Sequence, residues 1–536
     1  MKLLRNPPLR GESGNRVPAP SGRFVLACVA AAILVSAWAA GCAKAPRPRL
    51  FVIGLDGATW DLIGPWIENG DLPNLKALRD QSAWGTMRSV IPYLSPPAWT
   101  TAVTGVNPGR HGIFDFQRRL PQSNKVVTET SKSRRSPPIW NMLKGSGLRV
   151  AVVNVPMTDP PDDVDGVMVA GFPHLDQKGY AWPRALEDTL KTMGYLTDKM
   201  EMKIPEGEEE AVFQELWNTM EKRWELVRKL YTQARYDLFW VVFTQTDRVQ
   251  HLFWKFDDPK SPHYVPEQAA KFGGSMKKLW VEQDRILGEL LKLLPPDTWV
   301  LVLSDHGFGP IRREFRVGCY LRRPESGFTE EDAENVFCLD RSDAARLYIR
   351  EPGRDPGGTL DPDARKALEA KLVSKLRGLR DPSTGEEVIE EVYPKEKVFV
   401  GKYAERGPTL TLMPARGWHI TFGDVEDGFK LAPFGDLSTG LSGWHRMNGM
   451  FILRGPGVRP GHVEKEYNLL DVVPTCMYIL QQTMAEDLDG KIMEDCFTPE
   501  HLRKVSPKRT GRLTEEDRPM TPEEIESLRN LPYIGG

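Results

Sequence analysis

Thr298-Trp299-Val300-Leu301-Val302-Leu303-Ser304-Asp305-His306-Gly307 is the stretch that decides the fold. Its first six residues are apolar, aromatic or β-branched, so it reads as a buried strand ending in a polar turn. Open α/β sheets bind their ligands at the carboxyl ends of such strands. Carboxylate and imidazole side by side are also common donors to a catalytic divalent cation. An Asp-His-Gly turn alone is more often a capped loop, so the weight of the reading rests on partners elsewhere in the chain.

Working outward, residues 276–293 read as the helix leading into this strand. Before it, YDLFWVVF at 236–243 is a strongly apolar strand running into Thr244-Gln245-Thr246-Asp247-Arg248-Val249-Gln250-His251. Asp247 and His251 are four apart, so on a helical turn they share one face and can grip one cation. The first strand is RLFVIGLDG at 49–57, and Asp56 at its end either caps the turn before a helix at 61–82 or projects as a ligand. Strands are also expected at 149–155 and 166–171, and an acid-led helix at 206–233.

Residues 85–94 read as extended. Ser95-Pro96-Pro97-Ala98-Trp99-Thr100-Thr101-Ala102-Val103-Thr104-Gly105 then reads as a helix starting near the prolines and ending by Gly105. Ser95 is either its N-cap or a hydroxyl nucleophile, since an incoming phosphate would meet free N–H groups and the positive dipole end there. Thr100 and Thr101 fall inside the helix, where a hydroxyl is less well aimed. Residues 107–112 read as a turn.

The rhythm breaks at 320–430, rich in Pro, Gly and charge, with a helix at 363–377 and short strands near 391–400 and 409–413. This is expected to be an insertion, a cap over the site. His445 stands just before the strand at 450–453, and a helix at 469–482 follows. The expected layout is a core at 50–319, the cap at 320–430, the rest of the core at 431–495, and a polar tail at 496–536 with a short helix at 521–528. Strands alternating with helices argue for a mostly parallel central sheet with helices on both faces.

With 536 residues, 40% hydrophobic and 27% charged, the chain has ample length for a large core. A net charge of −2 and no basic stripe give no reason to expect nucleic-acid binding. Five basic residues precede FVLACVAAAILVSAWAAG at 24–41, which carries no charge and ends at Cys42. That is the layout of an export signal over residues 1–41, with 42–49 as linker. Ala39-Ala40-Gly41-Cys42 resembles a bacterial lipobox, in which Cys42 would be lipidated, although Ala39 replaces the usual Leu. The other reading is an uncleaved anchor, near the lower limit of about 17 residues for one span. Either way the expectation is an extracytoplasmic, membrane-attached protein. Besides Cys28 and Cys42, the cysteines are Cys319, Cys338, Cys476 and Cys496, which either form two disulfides or stay as buried thiols.

Asp56, Ser95, Asp247, His251, Asp305, His306 and His445 therefore form a set, each at a strand edge or a helix start. Three carboxylates, three imidazoles and one hydroxyl suit two divalent cations that share a nucleophile. The motifs FVIGLDG, SPPAWTTAVTGVNPGRHGIFDF, TDRVQH, VLSDHGFG, GWHRMNGMFILRGPG and LLDVVPTCMYIL, in this order over roughly 50–495, resemble the alkaline phosphatase superfamily and its type I phosphodiesterase/nucleotide pyrophosphatase branch. The resemblance implies an alkaline-phosphatase-like α/β fold and hydrolysis of phosphodiesters or phosphomonoesters through a phospho-seryl intermediate. It implies that Asp247, His251 and His445 hold one metal, and Asp56, Asp305 and His306 the other together with Ser95. Zn²⁺ is the usual family metal, and the nitrogen-and-oxygen donor set also admits Mn²⁺.

Two departures stand out. Phe116 occupies the place of an Asn that hydrogen-bonds the phosphoryl oxygen in nucleotide pyrophosphatases, and Ser95 stands where those enzymes commonly have Thr. Trp99 replaces the Arg that a sulfatase motif needs, which argues against a sulfatase. The competing readings are a head-group phosphotransferase, which usually carries several membrane spans, and a binding protein that kept the fold. Selectivity is expected to lie in 320–430 and around 172–205, with Trp99, Phe116 and Trp444 as candidate pocket walls.

Overall fold

A computed structural model of the chain describes residues 47, 49–174, 178–198, 202–423 and 428–513. The expected signal at 1–41, with Cys28, and also Cys42 and the helix expected at 521–528 lie outside the described residues. LFVIGL forms β1 (Leu50–Leu55), buried throughout. The helix expected at 61–82 is two, α1 (Trp60–Glu68) and α2 (Pro73–Asp80). Gly70 takes a left-handed φ of 82°, and Pro73 can open a helix but interrupts one. β2 (Ala83–Arg88) is shorter than the extended stretch expected at 85–94.

α3 (Ser95–Thr104) begins at Ser95 and stops at Gly105, whose φ of 69° an L side chain rarely adopts. Leu94, not Ser95, is its N-cap, so the capping role expected of Ser95 is not observed. The turn at 107–112 holds one helical turn, Pro108–His111, opened by the Asn107 side chain. β3 (Val150–Val153), β4 (Gly166–Val169), β5 (Ala181–Trp182), α4 (Glu209–Gln233), β6 (Leu238–Phe243), α5 (Gln245–Phe253), α6 (Ser275–Leu293) and β7 (Trp299–Leu303) follow.

β8 (Gly307–Arg316) leads away from the central sheet. Beyond it, β9 (Val336–Phe337), β10 (Arg346–Ile349), α7 (Pro362–Leu376), β11 (Ile389–Pro394) and β12 (Leu410–Pro414) build a small sheet in the order β9-β10-β12-β11. The strand expected near 391–400 ends at Pro394, and Lys395–Val398 is a helical turn. This region has its own apolar cluster, including Leu347, Leu372, Leu376, Ile389 and Leu412. β13 (Gly417–Thr421) joins it to β8 by parallel pairing. The chain returns through β14 (Gly443–Arg446), β15 (Asn448–Arg454), β16 (Gly461–Asn468) and α8 (Val472–Ile479). His445 thus lies within a strand rather than in the loop before one. The tail expected to be polar begins with Cys496 and Phe497 buried in the main core.

The central sheet has nine strands in the order β16-β2-β15-β7-β1-β6-β3-β4-β5. β1 runs parallel to both neighbours, with Leu55 opposite Phe243 and Gly54 opposite Leu303. β3 is parallel to β4 and β6, and β16 to β2, while β15 is antiparallel to β2 and β7, and β5 to β4. Successive side chains of a strand point to opposite faces. Leu50 and Val52 pack with Trp99 and Val103 of α3 on one side, and Phe51, Ile53 and Leu55 with Ile63, Leu75, Trp224 and Leu279 on the other. Burial on both faces is why the core strands read as continuous apolar runs. The missing side chain of Gly54 makes room for the Trp99 indole, since a Cβ there would overlap it and sit 2.8 Å from Val242.

The cysteines Cys319, Cys338, Cys476 and Cys496 are free thiols, so the disulfide alternative is not formed among the described residues. No helix among the described residues is long and apolar enough to cross a membrane.

Candidate active site

Because β1 lies between β6 and β7, the loops that leave their carboxyl ends sit side by side. Asp56 follows β1, Thr244 to Asp247 follow β6, and Asp305 and His306 follow β7. The loops are laced together: Thr246 Oγ1 donates to the Asp56 carbonyl (2.6 Å), Gly57 N–H to Asp305 Oδ1 (3.3 Å), and Ser304 Oγ to the Ala58 carbonyl (2.7 Å). Asp247 and His251 lie one turn apart on α5, as their spacing predicts. β8 starts directly after His306 and pairs antiparallel with β14, placing Phe308 opposite His445 and returning that imidazole to the site.

All seven residues singled out in the sequence come together. His306 Nε2 lies 3.3 Å from Asp305 Oδ2, 3.6 Å from Asp56 Oδ1, 3.9 Å from Asp247 Oδ1 and 3.4 Å from Ser95 Oγ. Asp247 Oδ1 lies 3.4 Å from His251 Nε2 and 3.3 Å from His445 Nε2, and those two nitrogens are 2.9 Å apart. Asp305 and His306 are fully buried, and the most exposed of the seven, Ser95, is at 8%.

A buried carboxylate oxygen ordinarily has a hydrogen-bond donor. Here Asp56 Oδ1, Asp247 Oδ1 and Asp305 Oδ2 have none. His251 Nδ1 lies 2.9 Å from the Gly443 carbonyl and His306 Nδ1 3.0 Å from the Gly307 carbonyl. Each Nδ1–H donates to that carbonyl, which leaves the Nε2 lone pair turned into the cluster, the arrangement of metal-binding histidines. Two groups satisfy the geometry of a cation site, Asp247/His306/His445 and Asp56/Asp305/His306, their donor atoms all within 4.8 Å of one another. The two groups share His306 Nε2, whose one lone pair serves a single cation. His251 Nε2, 3.4 Å from Asp247 Oδ1 and 2.9 Å from His445 Nε2, completes the first group, so the residues present fit a pair of divalent cations bound through nitrogen and oxygen.

Burial and the charges of Asp305 and Asp247 push the Asp56 carboxyl well up, and burial followed by Asp247 raises Asp305 to about 7. Burial works the same way on Asp247, but His251 and His445 prevail and hold it well below the usual range. Burial and the neighbouring His306 keep His445 neutral. Without cations the cluster is strained electrostatically, and positive charge among the carboxylates removes that strain.

Of the expected pocket walls, Trp99 is core: it is fully buried and its Nε1–H donates to Asp56 Oδ2 (3.0 Å). Trp444 stacks on His445, ring centres 5.0 Å apart, and meets His251 edge-on at 4.9 Å. Phe116 packs edge-on against Phe172 at 5.2 Å and brings no donor of its own side chain. Thr101 Oγ1 is engaged with His111 Nε2 at 3.0 Å.

Sequence reading missed two groups beside the site. Arg346 of β10 donates through Nε to Asp115 Oδ2 (2.6 Å) and through Nη1 to Asp343 Oδ2 (2.7 Å), which ties the small sheet to the segment carrying Phe116. Arg223 of α4 meets Asp198 at 2.9 Å, next to the start of α5. Asp343 lies three residues from Arg346, but Asp115 is 231 residues from it and Asp198 is 25 from Arg223, so neither group forms a local motif.

The match to the family described as type I phosphodiesterase/nucleotide pyrophosphatase spans residues 50–445. A comparison with curated proteins finds no match. Among solved structures, murine ectonucleotide pyrophosphatase/phosphodiesterase 5 superposes with a TM-score of 0.51 at 16% identity, over 84% of this chain and 100% of that one. An inactive variant of the same murine protein in complex with AMP gives 0.50 at 15% identity, over 85% and 99%. Phosphonoacetate hydrolase from Sinorhizobium meliloti 1021 in complex with phosphonoacetate gives 0.54 at 17%, over 81% and 96%. At these identities the likeness is one of fold. The family match, which covers β1 through His445 and so every site residue, establishes that this chain belongs to the type I phosphodiesterase/nucleotide pyrophosphatase family of metal-dependent hydrolases.

Proposed function

We propose that this protein is a membrane-tethered, extracytoplasmic phosphoesterase that cleaves phosphodiester or phosphomonoester bonds through a phospho-seryl intermediate at a two-metal site. The observation that carries the reading is the convergence of three donorless carboxylate oxygens and the Nε2 atoms of three histidines on one buried cluster, 3.4 Å from Ser95 Oγ at its nearest. Asp247, His251 and His445 would hold one cation, and Asp56, Asp305 and His306 the other. His306 Nε2 lies within reach of both carboxylate groups. Zn²⁺ suits this donor set, with Mn²⁺ as the second candidate. When bound, the cations supply Lewis-acid polarisation of the phosphoryl oxygens and lower the pKa of a coordinated hydroxyl.

Ser95, in the first turn of α3, directs its Oγ at the phosphorus. Ser95 gives up its hydroxyl proton to solvent, the Oγ–P bond forms as the bond to the leaving oxygen breaks, and the leaving oxygen takes up a proton from solvent. Water then attacks the same phosphorus, the Oγ–P bond breaks, and Ser95 recovers its proton. Pro96 and Pro97 carry no N–H and the Ala98 N–H donates to the Leu94 carbonyl (3.0 Å), so the first turn of α3 offers a phosphoryl oxygen the Ser95 N–H alone. The region 320–430 serves as a cap, and Phe116, Phe172 and Trp444 bound the substrate. The segment 24–42 supports the tether, through a lipidated Cys42 or as an anchor.

The test is metal content and turnover of the purified full chain on bis-p-nitrophenyl phosphate and p-nitrophenyl phosphate, with Ser95→Ala as control. About two zinc ions per chain and Ser95-dependent release of nitrophenol are expected. The better substrate assigns diesterase or monoesterase. A chain that binds no divalent cation would overturn the reading.

A further inference from the structure

Asp247 Oδ1 is the pivot of the cluster, within 3.9 Å of all three imidazoles. Its position depends on where α5 begins, and that start is unusual. Thr244 is the N-cap of α5, yet its side chain makes no capping bond. Its hydroxyl instead donates to Asp198 Oδ2 (2.6 Å) and accepts from Arg223 Nη1 (3.2 Å). Gln245 repeats the pattern: Nε2 donates to Asp198 Oδ1 (2.7 Å) and Oε1 accepts from Arg223 Nη1 (2.8 Å). The first two residues of the segment are thus cross-braced by one ion pair, Arg223–Asp198.

A fourth element reaches the same carboxylate. Asn154, just past β3, donates through Nδ2 to Asp198 Oδ2 (2.9 Å) and to the Val242 carbonyl at the end of β6 (3.1 Å). It does so from a left-handed backbone, φ 57°. Such a conformation persists in a non-glycine residue where the surroundings over-determine it. Arg223 is wholly buried and Asp198 nearly so. Replacing a buried ion pair by apolar residues is often neutral for stability, so stability alone does not explain one here. Direction does: four side-chain donors converge on the Asp198 carboxylate, and two of them, from Thr244 and Gln245, belong to the turn that launches the Asp247/His251 face of α5.

We infer that Asp198, Arg223 and Asn154, acting through the side chains of Thr244 and Gln245, are positioning residues that set Asp247 and His251 for metal binding. The inference rests on the two-metal reading above. The test compares Zn²⁺ affinity, by competition with a chromophoric chelator, in the wild-type full chain, Thr244→Val, Thr244→Ser and the double variant Asp198→Leu/Arg223→Met. The visible band of the Co²⁺-loaded proteins is recorded alongside, and metal-free melting checks the fold. Thr244→Val and the double variant should weaken one of the two metals by about 10–100-fold and alter the Co²⁺ band. Thr244→Ser, which keeps the hydroxyl, should restore both. If the double variant does not fold, the Val/Ser pair decides. Wild-type affinity and spectrum in Thr244→Val, or equal loss in Thr244→Ser, would overturn the inference and leave the two-metal reading standing. A wild-type chain that binds no metal would overturn both.

Discussion

Stripping divalent cations from the protein should lower its melting temperature, and by more at pH 8 than at pH 5.5. Two groups of donors fit cations, and a ligand that binds only the folded state at 100 times its Kd stabilises by about 2.7 kcal/mol per site. Two sites give about 5 kcal/mol. For the unit Pro48–Gly536, an unfolding entropy of about 2.1 cal/mol/K per residue amounts to roughly 1 kcal/mol/K. The expected fall for one cooperative transition is therefore about 5 °C at saturating metal. The pH dependence follows from Asp56 and Asp305. Their pKa values are raised in the metal-free fold, Asp305 to about 7. A carboxyl with a raised folded pKa stabilises the fold fully below its unfolded pKa of about 4 and loses that contribution as pH rises through about 7. Metal binding needs the ionised carboxylates, so its contribution grows over the same interval. Scanning calorimetry with and without chelator at the two pH values measures both effects. Equal melting temperatures with and without chelator, or a larger fall at pH 5.5, would mean that these carboxylates bind no cation in the folded protein.

Ser95→Ala should reduce turnover of either nitrophenyl ester by at least about 10³-fold while the chain still binds about two cations, since three other protein donors remain for each. Gly54→Ala should overpack the Trp99 indole at about 1–3 kcal/mol and displace its donor from Asp56 at about 1–3 kcal/mol. A melting temperature lower by about 2–6 °C is expected, with loss of activity, and a wild-type melt would sink this account. Arg346→Met leaves Asp115 and Asp343 as buried carboxylates without their cation, at about 3–5 kcal/mol, read as a fall of about 3–5 °C. Adding reductant should leave the melting temperature unchanged, because Cys319, Cys338, Cys476 and Cys496 are free.

By itself the sequence determined the elements whose physics is local. LFVIGL, LFWVVF and WVLVL read as buried strands because both of their faces are apolar, and they are β1, β6 and β7. Asp247 and His251 read as one face of a helix because four residues make about one turn. The order of motifs was enough to imply the family. Boundaries set by a few kcal/mol were less legible: 61–82 broke at Gly70 and Pro73, and Ser95 proved to begin its helix rather than cap it.

Only the tertiary structure decided what lies next to what. β1 inserts between β6 and β7 through long crossovers, and this alone brings Asp56, Asp247 and Asp305 to one edge. The pairing of β8 with β14 returns His445 across the span of the inserted region. The Arg346–Asp115 and Arg223–Asp198 pairs, 231 and 25 residues apart in the chain, carry no periodicity that a sequence window can detect. Local spacing records which side chains share a face. Closure of the sheet, which buries apolar surface from the whole chain at once, decides which faces meet.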